Sequence, residues 1–192
     1  MPGILGRKIG MTRIIGEDGA SIPLTVVECT PNTITQVKTV EKDGYSAIVL
    51  GYKELKNPSK NKKYYYQREF KVENSEEFEI GTQVTVENLK EIEKVQFTSI
   101  SKGKGFQGVV KRHNFKTGPN SHGSKHHRNP GSIGSGTAPG RVMKGKKLAG
   151  RMGGDKLTFK SVPLVYLDSE KNILGIKGPI PGGKNNLVAI TF

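Results

Sequence analysis

Between Ser101 and Gly154 the sequence contains no Asp or Glu, yet it holds all four histidines and twelve lysines and arginines. Three patterns inside this stretch could do chemistry. Gly103-Lys104-Gly105-Phe106-Gln107-Gly108 has GxGxxG spacing after a predicted strand. A dinucleotide site would need those glycines to open a long helix, with an acid about 20 residues further on for the ribose. Here "VVKRHNFKTGPN" soon breaks and no acid appears. Gly140 to Lys147, "GRVMKGKK", approaches the phosphate loop GxxxxGK[ST], but Lys147 stands where the magnesium-binding hydroxyl belongs. His122 and His126 have the i,i+4 spacing of zinc ligands, with His127 beside them. A catalytic zinc usually adds a third ligand and often a carboxylate base, and Lys125 and Arg128 would repel the cation. The expectation is therefore a protein that is not an enzyme and carries no metal and no cofactor.

What survives is polyanion chemistry. Lysine and arginine recur every few residues, with glycine between them for close approach and Phe106, Phe115 and the histidines interleaved for stacking or for donation to phosphates and 2′-hydroxyls. A segment this poor in large apolar side chains cannot offset the roughly 1–2 kcal/mol of backbone entropy lost per ordered residue. Its order is expected to come from a nucleic acid. Pro119, Pro130 and Pro139 set bends, so the segment reads as a shaped finger and not as a polybasic tail.

The elements that must position this finger lie on either side of it. The chain has 192 residues and a net charge of +14, and the thirteen Lys and Arg from Ser101 to Lys156, opposed by Asp155 alone, supply +12 of it. The rest is nearly neutral, so the basicity is local. "RKIGMTRII", "SIPLTVVEC", "TITQVKTV" and "YSAIVLGY" alternate like strands, and Asp18-Gly19 and Asp43-Gly44 suit tight hairpin turns. Residues 53–80 turn polar and read as an excursion from the sheet with a short helix; Tyr64 to Tyr66 could stack on bases, but the preferred expectation is that they pack the excursion against the barrel. Strand character returns in "TQVTVENL" and "KVQFTSI", and again in "KLTFKSVPLVYLD", "NILGIKG" and "NNLVAITF".

The predicted fold is mainly all-β: one small antiparallel barrel from residues 1–100 and 156–192, with an irregular basic extension, 101–155, inserted between strands. Pro163, Pro179 and Pro181 are expected at strand ends or in loops. Cys29, the single cysteine, reads as a small buried thiol in a reducing compartment. The N-terminus has no signal-peptide pattern and no run approaches the roughly 20 apolar residues of a membrane span, which favours a cytoplasmic-type protein.

"GILGRKIGMT" at Gly3–Thr12, "DGYSAIVLGY" at Asp43–Tyr52, "SKGKGFQGVVKRHNFKTGPNSHGSKHHRNPGSIG", "PGRVMKGKKLAGRMGG" and the closing "IKGPIPGGKNNLVAI" carry a resemblance. Across essentially its whole length the chain resembles the bacterial-type large-subunit ribosomal protein three family. The resemblance implies a translation-protein-type barrel and direct binding of large-subunit rRNA of the 23S type. It also implies nucleation of assembly near the 3′ domain of that RNA, neighbouring large-subunit proteins, and a place in the cytoplasmic ribosome. On the matching motifs the rRNA-binding candidates are Lys102, Lys104, Phe106, Gln107, Lys111, Arg112, His113 and Lys116 at the finger's root. His122, Lys125, His126, His127 and Arg128 follow on its shaft, and Arg141, Lys144, Lys146, Lys147 and Arg151 on its return, with Arg7 and Lys8 in the N-terminal motif. Ser132, Ile133, Gly134, Ser135, Gly136, Thr137, Ala138 and Pro139 match the tip that approaches the peptidyl transferase centre. Thr137 stands where some relatives have a glutamine that is methylated, so that modification is expected to be absent. A free-standing nucleic-acid-binding regulator or RNA chaperone is the alternative function.

Overall fold

The computed structural model describes residues 3–16, 18–59 and 62–192. Its strands run in chain order as β1 (Ile4–Ile15), β2 (Ser21–Glu28), β3 (Asn32–Lys38), β4 (Ala47–Ser59), β5 (Lys62–Lys71), β6 (Gln83–Val84) and β7 (Lys94–Ile100). They continue as β8 (Gly105–Gln107), β9 (Gly150–Met152), β10 (Lys156–Asp168), β11 (Ile173–Lys177) and β12 (Leu187–Thr191). Helical turns are short: α1 (Val40–Asp43), a 3-10 turn at Val86–Leu89, and α2 (Val109–His113). The mainly β character expected from the alternating sequence holds.

Two compact units divide the chain, one of residues 1–101 with 156–192 and one of residues 102–155. In the first, six antiparallel strands close into a barrel in the order β1-β12-β7-β10-β11-β2. Alternation explains the closure. Ile4, Val27, Val95, Phe97, Leu174, Ile176, Val188 and Ile190 all point to one interior cluster, joined by Cys29. Burial holds the Cys29 thiol well above its ordinary pKa and keeps it neutral.

The expectation of one barrel is corrected for residues 32–84. These form a second, four-stranded sheet in the order β5-β4-β3-β6. Successive side chains of a strand point to opposite faces, so β1 sends Ile4 into the barrel and Leu5 into a second core with Ile34, Ile48, Leu50, Tyr52, Phe70 and Val84. One strand thus serves two cores. Asn32, fully buried, ties them: its Oδ1 accepts from the Leu5 N–H at 3.1 Å, and its Nδ2 donates to the carbonyls of Leu5 at 3.0 Å and Thr30 at 2.9 Å.

The polar excursion with a short helix is not what the structure has; β4 and β5 form a long hairpin there. Its polarity reflects a sheet with one wet face, and "KKYYYQREF" still buries Tyr64 and Phe70. Tyr64 lies over Gly51 in this second sheet, where an added Cβ would come within 2.6 Å of the ring, so it does not pack against the barrel. Asp43-Gly44 is likewise not a two-residue hairpin turn. Asp43 ends α1 and Gly44 caps it at φ +80°. Pro163 sits within β10, where that strand exchanges partners: Pro163 pairs with Lys94 of β7 and Leu164 with Ile176 of β11. A missing N–H costs least at such a change of partner.

Candidate nucleic-acid interface

The unit of residues 102–155 holds the sequence's polyanion-binding candidates and has almost no core. Val109 is its one buried hydrophobic residue among those described. At its base β8 and β9 pair, Gly105 opposite Met152 and Gln107 opposite Gly150, and the Lys104 N–H donates to the Met152 carbonyl at 2.9 Å. The GxGxxG pattern therefore builds a strand, Gly105–Gln107, and then a helix of five residues that Asn114 ends at φ +57°. No long helix N-terminus exists there to receive a pyrophosphate.

From α2, two candidate residues turn inward. Arg112 Nη1 and His113 Nε2 converge on the Leu148 carbonyl at 2.8 and 3.0 Å, which ties the outgoing chain to the returning one. Gly150 leaves room for that guanidinium, since a Cβ there would collide with Arg112 Nη1. The His113 ring lies 6.1 Å from that of Phe115. Further out, the Gly118 N–H donates to the His127 carbonyl at 2.9 Å, and His127 Nδ1 donates to the Pro119 carbonyl at 3.0 Å. A Cβ on Gly118 would strike the His126 carbonyl, so glycine is required for this closed loop. His122 takes a positive φ of 59° within it.

Among the described residues no group of three or more His, Cys, Asp or Glu is arranged to hold a metal ion. The tip residues, 132–139, are all exposed; Ser132 Oγ donates to the Gly134 carbonyl at 3.2 Å, and Ile133 remains 44% exposed. Lys102, Lys104, Lys111, Lys116, Lys125 and Arg128 are exposed, as are Phe106, His122, His126 and His127. On the return, Arg141, Lys144, Lys146, Lys147 and Arg151 are exposed too. Gln107, Arg112 and His113 are half-buried, and the Gln107 side chain folds back onto the Lys104 carbonyl.

Arg7 and Lys8 differ from these. Both lie in the other unit and both are already paired: half-exposed Arg7 donates from Nη2 to Glu28 Oε2 at 2.8 Å, and buried Lys8 donates from Nζ to the Ile180 carbonyl at 2.6 Å. The Glu28 carboxylate raises the Arg7 pKa further. Sequence reasoning missed these pairings, and it also missed the Arg112–His113–Leu148 tie. The only signals for that tie were a glycine at position 150 and an asparagine closing a short run that begins with two valines.

The architecture defines a class: a β protein carrying a separate cationic unit, residues 102–155, with almost no core. Comparison with known proteins narrows it. A family model described as Ribosomal protein L3 matches residues 67–159. The "Large ribosomal subunit protein uL3" of Bacillus cytotoxicus is 48% identical, the alignment covering 98% of this chain and 95% of the relative. Proteins of the same description from Geobacillus thermodenitrificans and another Geobacillus are 47% and 46% identical, each over 98% of this chain and 94% of the relative. The chain belongs to the ribosomal protein L3 family, whose members are structural, non-enzymatic components of the ribosome.

Proposed function

We propose that this protein, a structural constituent of the large ribosomal subunit, binds large-subunit rRNA directly through residues 102–155. The barrel unit is its anchor, and the exposed tip at Ser132–Pro139 extends toward the peptidyl transferase centre. One observation carries the reading: twelve Lys and Arg lie in that unit against the single acid Asp155, nearly all displayed to solvent on a backbone with almost no core. Such a surface is paid for only by a dense polyanion, which relieves the mutual repulsion and supplies the partners the arm lacks. Phosphate contacts fall to the exposed lysines and arginines, while Phe106, His122 and His126 offer faces for unstacked bases.

Arg112 and His113 contribute differently, by tying the outgoing chain to the returning one, and His127 by closing the loop of residues 118–127. Peptide-bond chemistry is left to the RNA, with the arm supporting its conformation. Binding of the 23S type of rRNA near its 3′ domain during early assembly belongs to the same reading, as do neighbouring large-subunit proteins and a bacterial-type cytoplasmic ribosome. Sedimentation tests it: the protein should remain with large subunits through a high-salt wash and footprint their rRNA. A free-standing regulator or RNA chaperone would be released by the wash.

A further inference from the structure

The barrel unit carries a second feature that the arm does not account for. Between β5 and the outer faces of β7 and β12 lies a cleft of about 690 Å³, within the roughly 300–1,000 Å³ of ordinary ligand clefts. Its floor alternates small and polar groups, Gln96, Thr98, Ala189 and Thr191 among them. These point outward because their neighbours Val95, Phe97, Val188 and Ile190 fill the barrel. β5 is the outer strand of its sheet and forms the wall, presenting Tyr66 and Arg68.

The charge of this cleft is one-sided. Arg68, Lys71 and Lys156 line it and are all exposed, while its one acid, Glu69, is already engaged by Lys38 at 2.7 Å. Arg68 spends one N–H on the Gln67 carbonyl at 2.9 Å and keeps the rest of its fork for a ligand. Tyr66 is 37% exposed and is braced by the rings of Tyr52 at 6.3 Å and Tyr65 at 6.4 Å, so one face is held ready at little entropic cost.

We infer that this cleft is a separate binding site for single-stranded RNA, with phosphates met by Arg68, Lys71 and Lys156 and a base stacked on Tyr66. The inference rests on the rRNA-binding reading above, but it uses none of the arm's residues. A cleft of this size takes splayed nucleotides and not an RNA helix; the Gln96 amide faces it, while the Asn186 amide nitrogen is spent on Ser99 Oγ at 3.0 Å and the Ile100 carbonyl at 2.9 Å and leaves its oxygen as an acceptor for base and 2′-hydroxyl edges. The rival occupant is a strand of another protein added to the free edge of β5. Three cations favour the polyanion, and the apolar part of the lining, Ile100 and Leu187 among it, suits the faces of bases.

The test uses the full chain and a short oligouridylate carrying 4-thiouridine. Photo-crosslinks should appear in the β5 peptide containing Tyr66. They should fade in a variant with Arg68→Gln, Lys71→Gln and Lys156→Gln, and persist in one with Lys144→Gln, Lys146→Gln and Lys147→Gln. The first variant should also lower the salt slope of oligouridylate binding by about 2, from roughly 0.7 ions released per single-strand contact. Crosslinks confined to residues 102–155, with the cleft variant binding as the parent does, would overturn the inference and leave the arm's role standing. Displacement of the cleft crosslink by oligoglutamate at lower concentration than by unlabelled oligouridylate would overturn it in favour of a protein partner. If the parent also fails to bind large-subunit rRNA, the underlying reading falls first.

Discussion

Neutralising Lys144, Lys146 and Lys147 together separates electrostatic binding from folding. All three are exposed, so glutamine in their place removes charge and leaves the described packing intact. If about half of the unit's cations meet phosphates, the parent should bind an rRNA fragment with a log–log salt slope of about −4 to −5, from roughly 0.7 to 0.9 ions released per contact. Removing three contacts should bring the slope up by about 2 to 3, and a decade of salt below 1 M then translates into an affinity loss of about a hundredfold or more at 0.1 M. Filter binding or fluorescence anisotropy across a salt series measures both quantities. Arg112→Gln supplies the contrast, because that guanidinium is spent on the Leu148 carbonyl at 2.8 Å. It should change the slope by less than 1 and instead loosen amide protection around Gly105–His113. The reasoning is refuted if the triple variant keeps the parent's slope, or if it loses affinity equally at low and high salt.

Asn32→Ala should cost about 2–5 kcal/mol, since it orphans both buried backbone groups of Leu5, and the urea midpoint should fall by about 1 M or more. The Cys29 thiol has an ordinary pKa of 9.0 that burial raises in the folded chain, so the folded state retains a proton that the unfolded state sheds. Stability is therefore whole below about pH 9 and declines above it. Urea melts at pH 8 and pH 10 should show a loss of up to about 1.4 kcal/mol in the parent that Cys29→Ala lacks. Replacing residues 131–140 by a Gly-Ser linker should leave the unfolding free energy within about 0.5 kcal/mol of the parent, because the tip buries no large apolar side chain. In the free protein, amide exchange should show little protection over 118–147 beside protected strands β2 and β11, and in the assembled subunit both should be protected.

The barrel was legible because its strands carry period-two alternation: Val95, Phe97 and Ser99 of β7 and Val188 and Ile190 of β12 face inward by parity alone. The second sheet was not legible, since parity says which residues share a face but not which core that face joins. Ile4 and Leu5 look alike in sequence and serve different cores. The β4–β5 hairpin was hidden by its own surface, as lysines and tyrosines on a wet face mask the sparse inward residues Tyr64 and Phe70. Charge composition marked out residues 102–155, but not which cations were already paired within the chain. Lys8, unlike the exposed Lys102, donates to the Ile180 carbonyl, 172 residues away in the chain, which no local window can contain.

How a barrel tolerates so large and coreless an insertion follows from where the chain departs and returns. Ile100 and Lys156 are direct partners in the β7–β10 ladder, and Ser99 and Thr98 continue the register opposite Leu157 and Thr158. The ladder fixes both ends of the insertion whatever lies between them. Closure entropy grows only as the logarithm of loop length, so residues 102–155 cost about 2 kcal/mol more to close than a four-residue turn at the same place. β12 flanks β7 on its other side, with Ile190 opposite Phe97, and the burial of that pair outweighs such a charge. The barrel therefore does not need the arm to be folded. If the arm binds rRNA as proposed, its sequence answers to that ligand alone and is free to be rich in cations, glycine and bends.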